Sequence, residues 1–259
     1  RLQMKKYSPI ISATTSADSS TDSISVDLAA LSLEDNEISM KNLKMGRVVG
    51  EGAWGSVRHA KHKNTGKSYA VKTMSKYSLI EQKQADHAKS ERDILSSIDH
   101  PFLVKLEKFE QDSRRIYMVQ EFVNGGEFMT LLRQKKRLDI SSGKFFAAQT
   151  VLCLEYLHKN NIIYRDLKPE NMLVDRDGYL KIIDFGLSKK IDSRTYTICG
   201  TPHYIAPEVL KNEGYSFESD WFSFGVFLYE TFTGSMPFDG ATPIDVFRAI
   251  INSEVKFPC

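Results

Sequence analysis

Asp166, Lys168 and Asn171 fall within six residues of one another in IIYRDLKPENML (162–173), directly after an apolar run. Each side chain suits a different task. An aspartate can take a proton from a hydroxyl, and a lysine can offset charge on a group in transit. An asparagine offers a neutral oxygen to a metal ion. Downstream, IIDFGLS sets Asp184 after apolar residues and ahead of a glycine. A carboxylate at the end of a buried strand, beside an amide ligand, suits Mg2+, which takes few protein oxygens and fills its shell with phosphate and water. A base, a cation and metal ligands around a triphosphate are the parts of phosphoryl transfer.

Upstream stands GEGAWGSV (50–57), with Gly50, Gly52 and Gly55 in a GxGxxGxV pattern. A dinucleotide site would need a helix after these glycines, and a strand pattern follows instead. A glycine-rich hairpin lets backbone N–H groups approach phosphates with no side chain in the way. Val57, just after it, is placed to cover a base. In SYAVKTM, Ala70 and Lys72 share one strand face, so an inward Lys72 lies beside the glycine loop. Buried, that lysine needs a carboxylate. Glu91 is the natural partner, with Asp86 and Asp93 less well placed, and a helix over 84–98 puts His87, Glu91 and Leu95 on one stripe.

The elements that must hold these groups can be read from periodicity. Residues 43–75 alternate apolar and polar around the glycines, with Asn64-Thr65-Gly66 as a turn between strands. Residues 84–98 carry apolar positions at helical spacing, and further strands are predicted around Leu103–Phe109 and Ile116–Phe122. After Asn124-Gly125-Gly126, the segments 145–158 and 220–232 are apolar enough for buried helices. Residues 12–25 (SATTSADSSTDSIS) are nearly all small or hydroxylic and predict a mobile tether or phosphorylation target.

Composition sets bounds on function. The 259 residues are 41% hydrophobic and 26% charged, ordinary for a protein with a real core. Thirty-five basic residues against 33 acidic leave a formal charge of +2, which argues against a broad nucleic-acid surface. No run approaches the length of a membrane span, and the start has no signal-peptide core. Cys153, Cys199 and Cys259 show no metal-like spacing, so a reducing, cytoplasmic location is expected. The first residue is not Met and the chain closes abruptly on EVKFPC, which reads as a fragment or a processed form.

In their order and spacing, GEGAWGSV, AVK, Glu91, YRDLKPEN, DFG and Ala206-Pro207-Glu208 resemble the eukaryotic protein kinases over residues 43 to 259. Lys168 within LKPEN points to the serine/threonine kinases. Tyr164 before Arg-Asp, together with TYTICGTPHYIAPE, is most similar to the cAMP- and cGMP-dependent enzymes of the AGC group. His203 departs from the cAMP-dependent pattern, where a glutamate is usual, and leans the resemblance toward cGMP-dependent kinases.

The resemblance implies an α+β, bilobal protein-kinase fold: a small β-rich lobe with one regulatory helix at 43–122 and a larger, mainly helical lobe at 123–259. Residues 1–42 are then a flexible Ser/Thr-rich segment. The larger lobe is expected to be incomplete, leaving apolar surface around 220–232. It implies an ATP site that takes in Val49, the three glycines, Val57, Ala70, Lys72, Val123, Glu127 and Leu173. The backbone of Glu121 and Val123 meets the base, and Gln120 stands at the back of the slot. Asp166, Lys168, Lys72 and Glu91 become catalytic, with Asn171 and Asp184 as Mg2+ ligands. Tyr164 becomes a packing residue against Phe185, Leu95 and Leu106.

Thr197 takes the position of an activation-loop phosphosite, with Arg165, Lys189 and His87 as its cationic partners. Glu127, Glu170 and Glu230 line the peptide groove and imply Ser/Thr protein substrates with basic residues before the acceptor. A cyclic-nucleotide-binding regulatory module would lie outside the chain. The competing readings are an inactive kinase-like scaffold that binds ATP and a small-molecule kinase on the same fold. Lys72, Asp166 and Asp184 all being present weighs against the scaffold, and the peptide-loop features TYTICGTP and APE weigh against the small-molecule kinase.

Overall fold

The computed structural model describes residues 36–52 and 55–258. The expectations for residues 1–35 of the Ser/Thr-rich segment, for Cys259 and for Ala53 and Trp54 within GEGAWGSV lie outside them. Chain that can be described begins ahead of the first strand. Met40–Asn42 makes a 3-10 turn, and the Met40 N–H donates to Glu110 Oε2 at 3.1 Å.

Five antiparallel strands form the first sheet: β1 (Leu43–Gly52), β2 (Gly55–His62), β3 (Ser68–Ser75), β4 (Leu106–Gln111) and β5 (Arg115–Glu121), in the order β1-β2-β3-β5-β4. The Asn64-Thr65-Gly66 turn lies between β2 and β3 as expected, with Gly66 at φ +70° and Nδ1 of His62 accepting the N–H of Asn64 and Thr65. Alternation sends Tyr69 and Val71 into a small core with Leu43, Ala60 and Val119. The other face of β3 carries Ala70 and Lys72. They sit opposite Gln120 and Met118 of β5, which aims all four toward the same side.

Between β3 and β4 come the short α1 (Lys76–Glu81) and the longer α2 (Ala85–Ser97). Helix α2 buries Ala88, Glu91, Ile94 and Leu95 on one stripe. The strand expected from Leu103 starts later. Residues 102–104 instead pair with Ile182 in the second half of the chain, through a parallel Leu103–Ile182 bridge and the Val104 N–H to Ile182 carbonyl bond of 2.9 Å.

Beyond β5 the chain is mainly helical: α3 (Phe128–Lys135), α4 (Ile140–Lys159), α5 (Pro207–Leu210), α6 (Glu218–Thr233) and α7 (Pro243–Asn252). The small sheet β6 (Gly126–Glu127), β8 (Met172–Val174), β9 (Leu180–Ile182) and the pair β7 (Ile162–Ile163) with β10 (Lys189–Lys190) present the loops that carry chemistry. Asp139 caps α4 by accepting the N–H groups of Ser141 and Ser142, and Thr242 with Asp245 forms a capping box on α7. The two apolar segments are helices as expected, but not wholly buried. Phe145 and Leu152 on α4 and Trp221 on α6 are exposed.

One apolar core joins the two halves. Leu95 and Met118 from the small lobe pack in the same cluster as Phe128, Leu154, Tyr164, Phe185 and Phe227. Among the described residues no helix is long and apolar enough to cross a membrane.

Candidate active site

Lys72 lies on the inward face of β3, and Glu91 reaches it from α2 at 2.6 Å. The Glu91 side chain is 3% exposed, so the ion pair is buried on the carboxylate side. Lys72 also donates to Asp184 Oδ1 at 3.3 Å. Burial, the strongest influence on Lys72, pulls its ammonium down, but the two carboxylates more than offset it and hold it above the usual lysine range. Burial likewise pushes the Asp184 carboxyl up. The Lys72 ammonium and the Gly186 N–H outweigh that and keep it below the usual range, with Lys168 adding to the same direction.

These three side chains look into a cavity of about 650 Å³. Val49, Gly52, Gly55, Val57, Ala70, Val123, Glu127 and Leu173 line it, together with Gln120 and Glu121. Gly50 does not; it pairs with Val57 in the β1–β2 ladder behind the wall. Gly55 is required for a physical reason. A Cβ on it would come within 1.8 Å of the Thr73 carbonyl oxygen, so no side chain fits where β2 closes on β3.

The second cluster forms on the loop between β7 and β8. Asp166 accepts from Lys168 at 2.9 Å, from Thr201 Oγ1 at 2.9 Å and from Asn171 Nδ2 at 2.7 Å. Lys168 also donates to Thr201 at 2.7 Å. Asn171 spends its amide nitrogen on Asp166, through both the carboxylate and the 2.9 Å bond to the backbone carbonyl. Its oxygen is thereby the free end. The side-chain hydrogen bonds of Asp184 among the described residues fall on Oδ1, so Oδ2 is likewise open. Two open oxygens fit a cation that completes its shell with water and phosphate. Among the described residues no group of three or more His, Cys, Asp or Glu side chains could hold a metal by itself.

The loop is held by residues the sequence reading did not single out. Asp220, fully buried in the first turn of α6, accepts the N–H of Tyr164 at 2.9 Å and of Arg165 at 2.8 Å, and pairs with His158 Nε2 at 2.8 Å. An aspartate directly ahead of the apolar run 221–229 was the available signal. Arg165 (φ +70°) and Asp184 (φ +59°) adopt the left-handed backbone region, a local cost that the surrounding bonds sustain. Tyr164 packs edge-on against Phe185 at 5.4 Å, as the resemblance implied. Its hydroxyl is engaged too, donating to the Ile183 carbonyl at 2.5 Å.

Thr197 is exposed. Of its three expected partners, Arg165 donates Nε–H to the Leu187 carbonyl and Lys189 donates to Thr195. The His87 side chain makes no hydrogen bond or ion pair among the described residues and stands exposed on α2. In the peptide set, Tyr204 donates its hydroxyl to Glu230, and Glu127 accepts from Thr130 at 3.2 Å. Burial pushes the Glu230 carboxyl up, and the exposed Glu170 adds to the same direction. The Cys153 and Cys199 thiols are free.

The family described as the protein kinase domain matches residues 43–257. Among curated relatives, cAMP-dependent protein kinase type 3 of Saccharomyces cerevisiae is 43% identical over 220 residues, 85% of this chain and 55% of that protein. The cAMP-dependent protein kinase catalytic subunit of Dictyostelium discoideum is 42% identical over 219 residues, 85% of this chain and 34% of that one. A cGMP-dependent protein kinase of Toxoplasma gondii is 42% identical over 228 residues, 87% of this chain and 23% of that one. The chain thus spans about half the length, or less, of the curated relatives it matches.

Proposed function

The chain belongs to the protein kinase domain family, and from that membership we propose that it transfers the γ-phosphoryl group of ATP to serine or threonine hydroxyls of proteins. The observation that carries the reading is the joining of two clusters. Lys72, Glu91 and Asp184 line a cavity of about 650 Å³, and the Asn171 carbonyl accepts the Ile183 N–H at 2.9 Å, which sets the Asp166 cluster beside Asp184.

In this reading the N–H groups of the glycine hairpin approach the phosphates, and Lys72, oriented by Glu91, pairs with their charge. Asp166 accepts the proton of the attacking hydroxyl, in an orientation held by Thr201 and Asn171. Lys168 offsets negative charge on the group in transit. Asn171 and Asp184 would hold Mg2+ through their open oxygens, and the ion, when bound, neutralises phosphate charge.

Three finer features belong to the same proposal. Glu127, Glu170 and Glu230 favour arginines before the acceptor, through bidentate carboxylate pairing. Phosphate on Thr197 recruits Arg165, Lys189 and His87 and raises activity. A cyclic-nucleotide-binding module outside these residues regulates the enzyme, a reading supported by the names and greater length of the relatives. A cytoplasmic location agrees with the free thiols.

The test is transfer of label from ATP, with Mg2+, to a serine peptide carrying arginines before the acceptor and to a counterpart carrying glutamates. Label on the arginine peptide that disappears in an Asp184→Asn protein establishes the activity. Equal labelling of both peptides removes the basic preference but keeps the kinase. A folded, ATP-binding chain that labels neither peptide overturns the proposal for these 259 residues.

A further inference from the structure

We propose that Tyr215 is a positioning residue: its hydroxyl holds the activation segment against the catalytic loop while Thr197 carries no phosphate. The inference rests on the Thr197 reading above and adds to it what keeps the loop in place beforehand.

Tyr215 is 2% exposed and lies just before α6. Its backbone exchanges both hydrogen bonds with Thr195 at 2.9 Å, a one-residue ladder that fixes the register of the loop. From that anchor the ring crosses to Thr197, and its hydroxyl donates to the Thr197 carbonyl at 2.5 Å. The same oxygen accepts Nη1–H of Arg165 at 3.4 Å and has Cys199 Sγ at 3.9 Å. Burial pushes the phenol up to about 12, so the hydroxyl keeps its proton and stays a donor.

Arg165 carries the connection onward. It adjoins Asp166, its own N–H is held by Asp220, and its Nε–H is held by the Leu187 carbonyl. One buried phenol oxygen therefore links the backbone of the modifiable threonine to the guanidinium proposed to receive its phosphate. Removing that oxygen alone leaves the ring in its apolar cluster with Ile163 and Val209. The Thr197 side chain is meanwhile exposed and free to meet a modifying enzyme. A phosphate on Thr197 would pull on Arg165 directly, and the hydroxyl link would then matter less.

The experiment compares Tyr215→Phe with the unchanged chain, each with Thr197 phosphorylated and each with Thr197→Ala. Peptide phosphorylation and amide hydrogen exchange over residues 195–200 are read on all four proteins. With Thr197→Ala, loss of the hydroxyl should lower kcat/KM by about five- to tenfold, the scale of one hydrogen bond. It should also speed exchange in the loop. In the phosphorylated pair the loss should stay within about twofold. Equal losses in both pairs, or unchanged exchange in the Thr197→Ala pair, would overturn the proposal by making Tyr215 a packing residue only. The Thr197 reading fails separately, if Thr197→Ala alone is as active as the phosphorylated chain. Exchange still decides the role of Tyr215 in that case, and also if no protein turns over.

Discussion

The carboxylate of Asp220 accepts the backbone N–H of Arg165 at 2.8 Å although the two residues lie 55 positions apart. With the Tyr164 N–H and His158 on the same carboxylate, α6 anchors the loop that bears Asp166. Asp220→Ala would leave one buried and one part-buried N–H group unpaired, the buried one costing about 1–3 kcal/mol. The expected outcome is a clear fall in denaturant midpoint, with kcat falling more than the peptide KM rises. An alanine protein with unchanged midpoint and kcat would show that the loop holds itself.

Lys72 and Glu91 should behave as one unit. Lys72→Met strands a buried carboxylate and should lower kcat/KM by about 10²- to 10³-fold, the scale for losing one preorganised charge contact. Glu91→Gln should cost less, because Asp184 still holds the lysine at 3.3 Å. The double variant should be no worse than Lys72→Met alone. Steady-state kinetics on the four proteins checks this, and strictly additive losses would separate the two residues.

Gln120 is 8% exposed and faces the cavity beside Ala70. Gln120→Ala enlarges the rear of the slot without touching the expected contacts to the base edge. The KM for ATP should shift by less than about threefold, whereas a ligand with an aryl group aimed at that rear wall should gain about tenfold in Kd, the equivalent of ~1.4 kcal/mol. Parallel loss of ATP and ligand affinity would instead mark Gln120 as a structural support of the slot.

Burial holds the Glu230 carboxyl above the usual carboxylate range, and the hydrogen bond from Tyr204 offsets this only in part. A raised pKa means that Glu230 gives up its charge early as the pH falls. Affinity for an arginine peptide should therefore be full above that raised value and weaken as the pH drops through it. Peptide KM followed as the pH is lowered from neutrality toward the carboxylate range should show this limb, and Glu230→Gln should flatten it. A wild-type KM that does not change across the window would detach Glu230 from peptide binding.

Much of this site could be read in the chain because its key pairs obey local periodicity. Ala70 and Lys72 share a strand face by alternation, and Glu91 shares a helical stripe with Leu95, so their meeting needed only the strand and the helix to pack. Thr201, Tyr204 and Tyr215 carry no such local signal, although GTPHY lies within a motif-rich loop. Their partners Asp166, Glu230 and Thr197 lie on other elements, and no repeat in the sequence carries the register between them. The same limit explains Phe145 and Leu152. Mean apolarity predicts a buried helix, but which side of α4 faces outward depends on neighbours that periodicity does not name. Leu103 was drawn out of β4 by its pairing with Ile182, a long-range contact that outweighs local strand preference.

The apolar core does not stop at the cavity. Leu95 and Met118 on one side and Tyr164 and Phe185 on the other share a single packed cluster. The two lobes are therefore parts of a single folding unit, despite having separate sheets. Severing the chain near Val123 would give each half an open apolar face where the other had been. Grafting the small lobe onto a foreign large lobe would require recutting that shared surface, so modular exchange in this molecule is limited to what lies outside it.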